Sequence, residues 1–247
     1  MKSLNTSILA SITVSLLAAG CGTQDELVLP PDPVETERAI VNGKTYNGHP
    51  SVGRIIRQVG SSAASCTGTL IGKHTVLTAG HCVQPGGNHT FYIGGGSYKS
   101  NQVARHYQYS TTSSGGANYD IALIKLSSDP PVTPSMVASK APFKGQALTL
   151  IGYGITQTGL SDSGVKRIGY NKVDQITATQ FTYSGASGST SNVCSGDSGG
   201  PAFTTVDGQE VHQGIHSMAS RPCGSRGINA RTDVFYAWIK QQSGGDV

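Results

Sequence analysis

A chain of 247 residues is long enough to bury its own core without metals or a partner, and too short for an assembly of many domains. Charged residues are only 13% and glycines number 33, which excludes a coiled coil, a helical bundle and a charged disordered chain and points to an all-β fold. The net charge of +4 is small and no block of Lys and Arg is present, so the charge pattern indicates no nucleic-acid partner.

Met1 and Lys2 precede an apolar run, Ile8 to Ala19, broken by Ser11, Thr13 and Ser15. At about a dozen residues the run reads as an export signal, because a transmembrane helix needs roughly 20. Ala18, Ala19 and Gly20 directly before Cys21 are similar to a bacterial lipobox, in which Cys21 is lipidated and begins the mature protein. An ordinary secretory leader that contains a cysteine is the alternative. Residues 1–21 are therefore expected to direct export, to the cell envelope through a lipid on Cys21 or as a secreted protein. Cys21 is then the only route to a membrane.

Residues 22–39 hold three prolines and five acids against one base, the composition of a tether or propeptide. From Ile40 onward there are 16 Lys and Arg against 9 Asp and Glu, a net +7 that follows a leader segment of net −4. Setting Cys21 aside leaves four cysteines, Cys66 with Cys82 and Cys194 with Cys223, two local pairs that would each close a short loop in an oxidising compartment. Each bridge is worth on the order of 3 kcal/mol. No C-x-x-C or H-x-x-x-H spacing accompanies them, so neither a metal nor another cofactor is expected.

Beyond residue 40, short apolar and β-branched runs alternate with Gly, Ser, Asn and Pro clusters: Ser51–Val59, Thr69–Leu77, Thr90–Ile93, Ile121–Leu126, Ala147–Tyr153, Gln180–Tyr183 and Glu210–Ser217. Such spacing predicts a β-barrel or sandwich over 40–247. Only Thr232–Gln241 carries a helical stripe, Val234, Phe235, Trp238 and Ile239. The polar stretches Thr111–Asn118 and Ser184–Asn192 are expected to be surface loops.

Three segments carry the chemistry: Thr78-Ala79-Gly80-His81-Cys82, Asn118-Tyr119-Asp120-Ile121-Ala122-Leu123, and Cys194-Ser195-Gly196-Asp197-Ser198-Gly199-Gly200-Pro201. Alone, each has a structural explanation: a core histidine, a strand start, a glycine turn. Together they place His, Asp and Ser in the chain order, and in the local settings, of the trypsin/chymotrypsin family, which this chain resembles over residues 40–243. Ser65-Cys66-Thr67-Gly68-Thr69-Leu70-Ile71, Gly152-Tyr153-Gly154 and the final helix extend the resemblance. It implies two antiparallel six-stranded β-barrels with a C-terminal helix, and a monomeric enzyme that hydrolyses polypeptides through an acyl-enzyme. A non-catalytic binding module on the same scaffold is the alternative, and loss of His81, Asp120 or Ser198 would have favoured it.

The resemblance assigns roles by position. A serine hydroxyl is a weak nucleophile, so His81 would take the proton of Ser198 and later deliver it to the leaving amine, with Asp120 fixing the imidazole tautomer. Backbone N–H groups of Gly196 and Ser198 would hold the developing oxyanion. Asp197 would pair with a new ammonium at Ile40, because Ile40-Val41-Asn42-Gly43 matches the family's mature start; the chain is then a zymogen. The family has a basic residue directly before that start, whereas here Arg38 is followed by Ala39. A separate activating protease that cuts after Ala39 is therefore expected, and trypsin-like self-activation is not.

The floor of the specificity pocket falls at Asn192, where trypsins carry aspartate, so basic side chains are not the expected preference. Gln213-Gly214-Ile215-His216-Ser217 resembles the glutamate-specific branch, in which the histidine contacts the substrate carboxylate. Ser195 and Ser217 would donate further hydrogen bonds and Gly227 would complete the substrate-binding pocket, giving a preference for acidic or neutral residues.

Overall fold

The structure is a computed structural model that describes residues 40–83, 88–113 and 116–247. The export signal at 1–21, Cys21 and the linker at 22–39 lie outside the described residues.

In chain order the strands are β1 (Lys44–Thr45), β2 (Val52–Val59), β3 (Ser62–Leu70), β4 (Thr75–Thr78), β5 (Asn88–Ile93), β6 (Gly96–Arg105), β7 (Ser110–Thr111), β8 (Ala117–Asn118), β9 (Ala122–Leu126), β10 (Ala147–Gly152), β11 (Arg167–Lys172), β12 (Gln175–Ile176), β13 (Gln180–Ser184), β14 (Pro201–Val206), β15 (Gln209–Ala219) and β16 (Arg226–Arg231). One helix, α1 (Tyr236–Ser243), follows.

Six of these strands close a barrel in the order β2-β3-β4-β9-β6-β5, which leaves no free edge. Its core is made by inward residues of several strands, among them Ile55, Leu70, Val76, Leu77, Phe91 and Leu123. A second sheet of eight strands runs β1-β11-β10-β14-β15-β16-β13-β12. Its six longer strands are the second expected group; β1 and β12, two residues each, extend it at its margins. The sheet curls back on itself, since Asn171 Nδ2 on β11 donates to the Ser184 carbonyl on β13 at 3.0 Å. Leu148, Leu150, Phe181, Tyr183 and Ala202 fill its interior.

The run Thr69–Leu77 is two strands rather than one. The chain reverses at residues 71–74, where Ile71 N–H donates to the Thr75 carbonyl at 2.9 Å. Strand β6 was not expected, because its polar residues leave no buried face. Thr111 and Ala117–Asn118, expected as loop, form part of a two-stranded ladder. The helix begins four residues later than its apolar stripe implies: Phe235 N–H closes a turn on Thr232, and Val234 points to solvent. Phe235 and Ile239 are buried against the first barrel.

Candidate active site

His81 lies on a single 3-10 turn, Gly80–Cys82, that directly follows β4. Cys82 is bonded to Cys66 on β3, so the turn is tied to the barrel wall. Asp120 sits just before β9, the hydrogen-bonded neighbour of β4, and the register Thr78↔Ala122 brings the two segments side by side. His81 N–H donates to Asp120 Oδ1 at 2.9 Å, and His81 Nδ1 meets Asp120 Oδ2 at 2.8 Å. Ser217 on β15 donates its hydroxyl to the same Oδ2 at 2.6 Å. Asp120 is fully buried, and three donors compensate its lost hydration. With Nδ1–H committed to Asp120, Nε2 is left as the acceptor, and the imidazole is about a third exposed in the cleft.

Ser198 lies in a tight turn, Cys194–Gly200, that leads into β14. Gly196 and Gly199 adopt φ of +95° and +82°, a region that side chains rarely occupy. Each peptide of the turn is anchored. Ile155 N–H holds the Ser195 carbonyl at 2.8 Å, and Gly200 N–H holds the Asp197 carbonyl at 2.9 Å. In a planar trans peptide the C=O and the following N–H point in opposite directions, so the Gly196 and Ser198 N–H groups are turned away from those anchors. Thr67 N–H holds the Ser198 carbonyl at 2.8 Å, joining the turn to the first barrel.

Asp197 is wholly buried beneath this turn. Its Oδ1 accepts from Gly154 N–H at 2.8 Å and its Oδ2 from Cys194 N–H at 2.9 Å. Burial pushes its pKa up to about 7; the N–H groups of Cys194 and Gly154, the charge of Arg167 and the Ile40 N–H oppose that rise. Ile40 is fully buried, and the residues after it run against the loop before the turn, with Asn192 N–H donating to the Val41 carbonyl at 3.1 Å.

His81 and Ser198 line one cleft of about 810 Å³, together with Tyr109, Ser195, Met218, Ala219 and Arg221 among others. Cys194–Cys223 bridges its wall. No aspartate or glutamate lines it among the described residues. Of the expected substrate-binding residues, Ser195 and Ser217 face the cleft, but the Ser217 hydroxyl is spent on Asp120 and does not serve as a substrate donor. Asn192, His216 and Gly227 are buried and do not line the cleft. Tyr183, the register partner of Gly227, explains part of this: its ring occupies the space in which a Cβ on Gly227 would lie, 2.2 Å from Cε2.

His216 Nδ1 bonds Asn229 Oδ1 at 2.9 Å, and burial lowers the His216 pKa to about 4, so the ring is neutral near pH 7. Asn192 accepts from Val193 N–H through Oδ1, while its buried Nδ2 has no partner among the described residues. Cys66, His81 and Cys82 bring three residues of metal-ligating type within 4.8 Å of one another, but the two sulfurs are joined to each other and offer no thiolate. Ser217, Arg167 and Tyr183 took up positions that local sequence does not signal, since each acts on a residue distant in the chain.

A two-sheet β architecture with a buried Asp–His pair beside a serine in a glycine turn defines a class of hydrolytic enzymes. The Trypsin family profile matches residues 40–239, and the chain belongs to that family: it is a serine endopeptidase acting on polypeptides. It is 29% identical over 257 residues to chymotrypsin-like elastase family member 1 of Homo sapiens, covering 91% of this chain and 97% of that protein. It is 30% identical over 211 residues to a glutamyl endopeptidase of Bacillus licheniformis, covering 74% of this chain and 61% of that protein. Among solved structures, mouse neuropsin, a serine protease, superimposes with a TM-score of 0.69 at 24% identity, over 83% of this chain and all of that one, and so shares the fold.

Proposed function

We propose that the chain is an exported endopeptidase in which Ser198 is the nucleophile, His81 the general base and acid, and Asp120 the group that orients His81. The observation that carries this reading is the 2.8 Å contact of His81 Nδ1 with the buried Asp120, on an imidazole that shares a cleft with Ser198. Ser198 Oγ loses its proton to His81 Nε2 as it attacks the scissile carbonyl, and Asp120 stabilises the imidazolium. The N–H groups of Gly196 and Ser198 receive the oxyanion. His81 returns the proton to the leaving amine, and water then releases the acyl group by the same route.

Cleavage after Ala39 by a separate protease converts the Ile40 nitrogen into an ammonium facing Asp197 and raises activity. The preferred residue before the scissile bond is acidic or neutral: Asn192 carries no charge, no carboxylate lines the cleft among the described residues, and Arg221 does. The two disulfides fit an oxidising compartment, in accord with export by residues 1–21 and with a lipid on Cys21.

Fluorophosphonate labelling of the chain matured at Ile40 tests the reading. Modification at Ser198, abolished by Ser198→Ala, is expected. A correctly folded protein that does not react there is a binding module, and one that turns over esters but no peptide is an esterase. A peptide-library cleavage profile reads the side-chain preference directly.

A further inference from the structure

The last three residues of β15 have an open edge beside the cleft. β14 pairs with β15 only as far as Pro201↔Ile215. The Cys194–Gly200 turn covers that edge for one residue more: His216 N–H donates to the Gly200 carbonyl at 2.8 Å, and Gly199 N–H to the His216 carbonyl at 2.7 Å. Beyond it, Met218 and Ala219 are paired with Ile228 and Gly227 on the β16 side, while no strand follows on the other side among the described residues. Ser217, Met218 and Ala219 line the cleft that holds His81 and Ser198. An extended polypeptide can occupy such an edge as an added strand, through main-chain hydrogen bonds. In the line and direction of β14 it runs antiparallel to β15, passing Ala219 and then Ser217 before its scissile bond meets Ser198. At about 3.4 Å per residue, the side chains two or more residues before that bond lie along Ala219 and the segment after it.

That segment carries Arg221, which lines the same cleft. Among the lining residues only this side chain is charged at every working pH. No carboxylate among the described residues forms an ion pair with it. The loop that presents it is pinned on both flanks. Ser220 N–H donates to the Arg226 carbonyl at 2.9 Å, and Arg226 N–H to Ser220 Oγ at 3.0 Å. Cys223 is bonded to Cys194, and its N–H donates to Thr158 Oγ1 at 3.0 Å. The groups expected in the primary pocket offer no such charge: His216 is buried and neutral, Asn192 is buried, and the Ser217 hydroxyl is committed to Asp120.

We propose that Arg221 is a specificity-determining residue that selects an acidic substrate side chain two to four residues before the one that supplies the scissile carbonyl. A guanidinium can hold a carboxylate by two parallel N–H···O bonds. The pair lies in solvent, so salt screens it and the selection amounts to a few-fold. The inference rests on the proposed function, with Ser198 as nucleophile, and adds a second place at which substrate charge is read.

The test uses the chain carrying Ala39→Arg, cut before Ile40 by trypsin, freed of trypsin and verified by mass. Peptides with one fixed leucine before the scissile bond carry Glu or Gln singly at each upstream position. At low salt, kcat/KM is expected to favour Glu about three- to fivefold at one or more of the three named positions, and the preference should fade at high salt. Arg221→Gln should bring the Glu/Gln ratio to one, and Arg221→Glu should invert it. The preference at the residue directly before the bond should be unchanged by both. Affinity of the Ser198→Ala chain, cut in the same way, reads the same ratio without turnover.

Equal handling of Glu and Gln at all three positions overturns the proposal, as does a preference that survives Arg221→Gln or does not weaken with salt. An equal loss on Glu and Gln peptides in Arg221→Gln marks a structural role and overturns it too. A parent chain that binds the peptides with the expected ratio but cleaves none defeats the assignment of Ser198 instead, so the two failures are told apart.

Discussion

Ser217 Oγ and Asp120 Oδ2 are 2.6 Å apart, which links β15 of the second sheet to the segment before β9 in the first barrel. The hydroxyl is the one side-chain donor to this carboxylate besides His81 among the described residues, and it shares the oxygen that faces His81 Nδ1. Hydrogen bonds to charged groups are worth about 1.5–3 kcal/mol, and removing this one loosens the carboxylate that, in the proposed mechanism, stabilises the imidazolium. Ser217→Ala is therefore expected to lower kcat roughly 10- to 100-fold with KM nearly unchanged. Steady-state kinetics on a peptide substrate decide it; a loss confined to KM would show that Ser217 contacts substrate instead.

His216 is neutral, fully buried and bonded to Asn229, which leaves it poorly placed to read a substrate charge. His216→Val strands the Asn229 carbonyl oxygen and should cost about 1–3 kcal/mol of stability. The ratio of kcat/KM for Glu and Leu substrates should move by less than about threefold, since one pocket contact is worth little more. A selective collapse of Glu cleavage would return the carboxylate-reading role to His216.

Asp197 predicts a pH signature. Its pKa in the folded, intact chain is raised to about 7 from 3.8, so the native state keeps a proton that the unfolded state releases. Stability of the intact chain should fall as pH rises from about 4 to about 7 and level off above. If the chain is activated as proposed, cleavage supplies an ammonium that lowers this pKa and relieves the loss. The difference in Tm between cut and intact forms is expected to widen across the same interval; a constant difference from pH 4 to pH 8 would contradict it.

Asp246 clamps the chain end to the first barrel. Its carboxylate accepts from Lys73 N–H at 3.0 Å, His74 N–H at 3.2 Å and Thr75 Oγ1 at 2.5 Å. Burial works against the carboxylate, but these bonds and His74 hold its pKa below the usual value. The contribution is complete above the ordinary carboxylate pKa and lost as pH drops below it. Asp246→Ala should cost on the order of 1–3 kcal/mol at pH 7 and less in acid, measured by urea unfolding.

His81, Asp120, Ser198 and the four paired cysteines were legible in the linear chain because each sits in a local segment whose residue types serve one purpose. The glycines around Ser198 are readable for the same reason: their positive φ is a property of the turn itself. Periodicity located β2, β5, β9, β10, β13 and β15 and missed β11, β14 and β16, whose glycines and polar residues mask their buried positions, and β6, where a polar strand is held by its neighbours' backbone bonds rather than by burial.

What the folded molecule decided is which distant groups share a space. Ser217 read as a pocket donor until the approach of β15 to Asp120 committed its hydroxyl. His216 and Asn192 were expected in the pocket, yet both are buried and do not line the cleft. Arg167 carries no local mark, being one cation among 18 basic residues. Its burial comes from strand register, which places it opposite Gly152 on the neighbouring strand. Backbone preference and side-chain type are encoded residue by residue, whereas desolvation and Coulomb coupling depend on separations that exist only after the strands have paired.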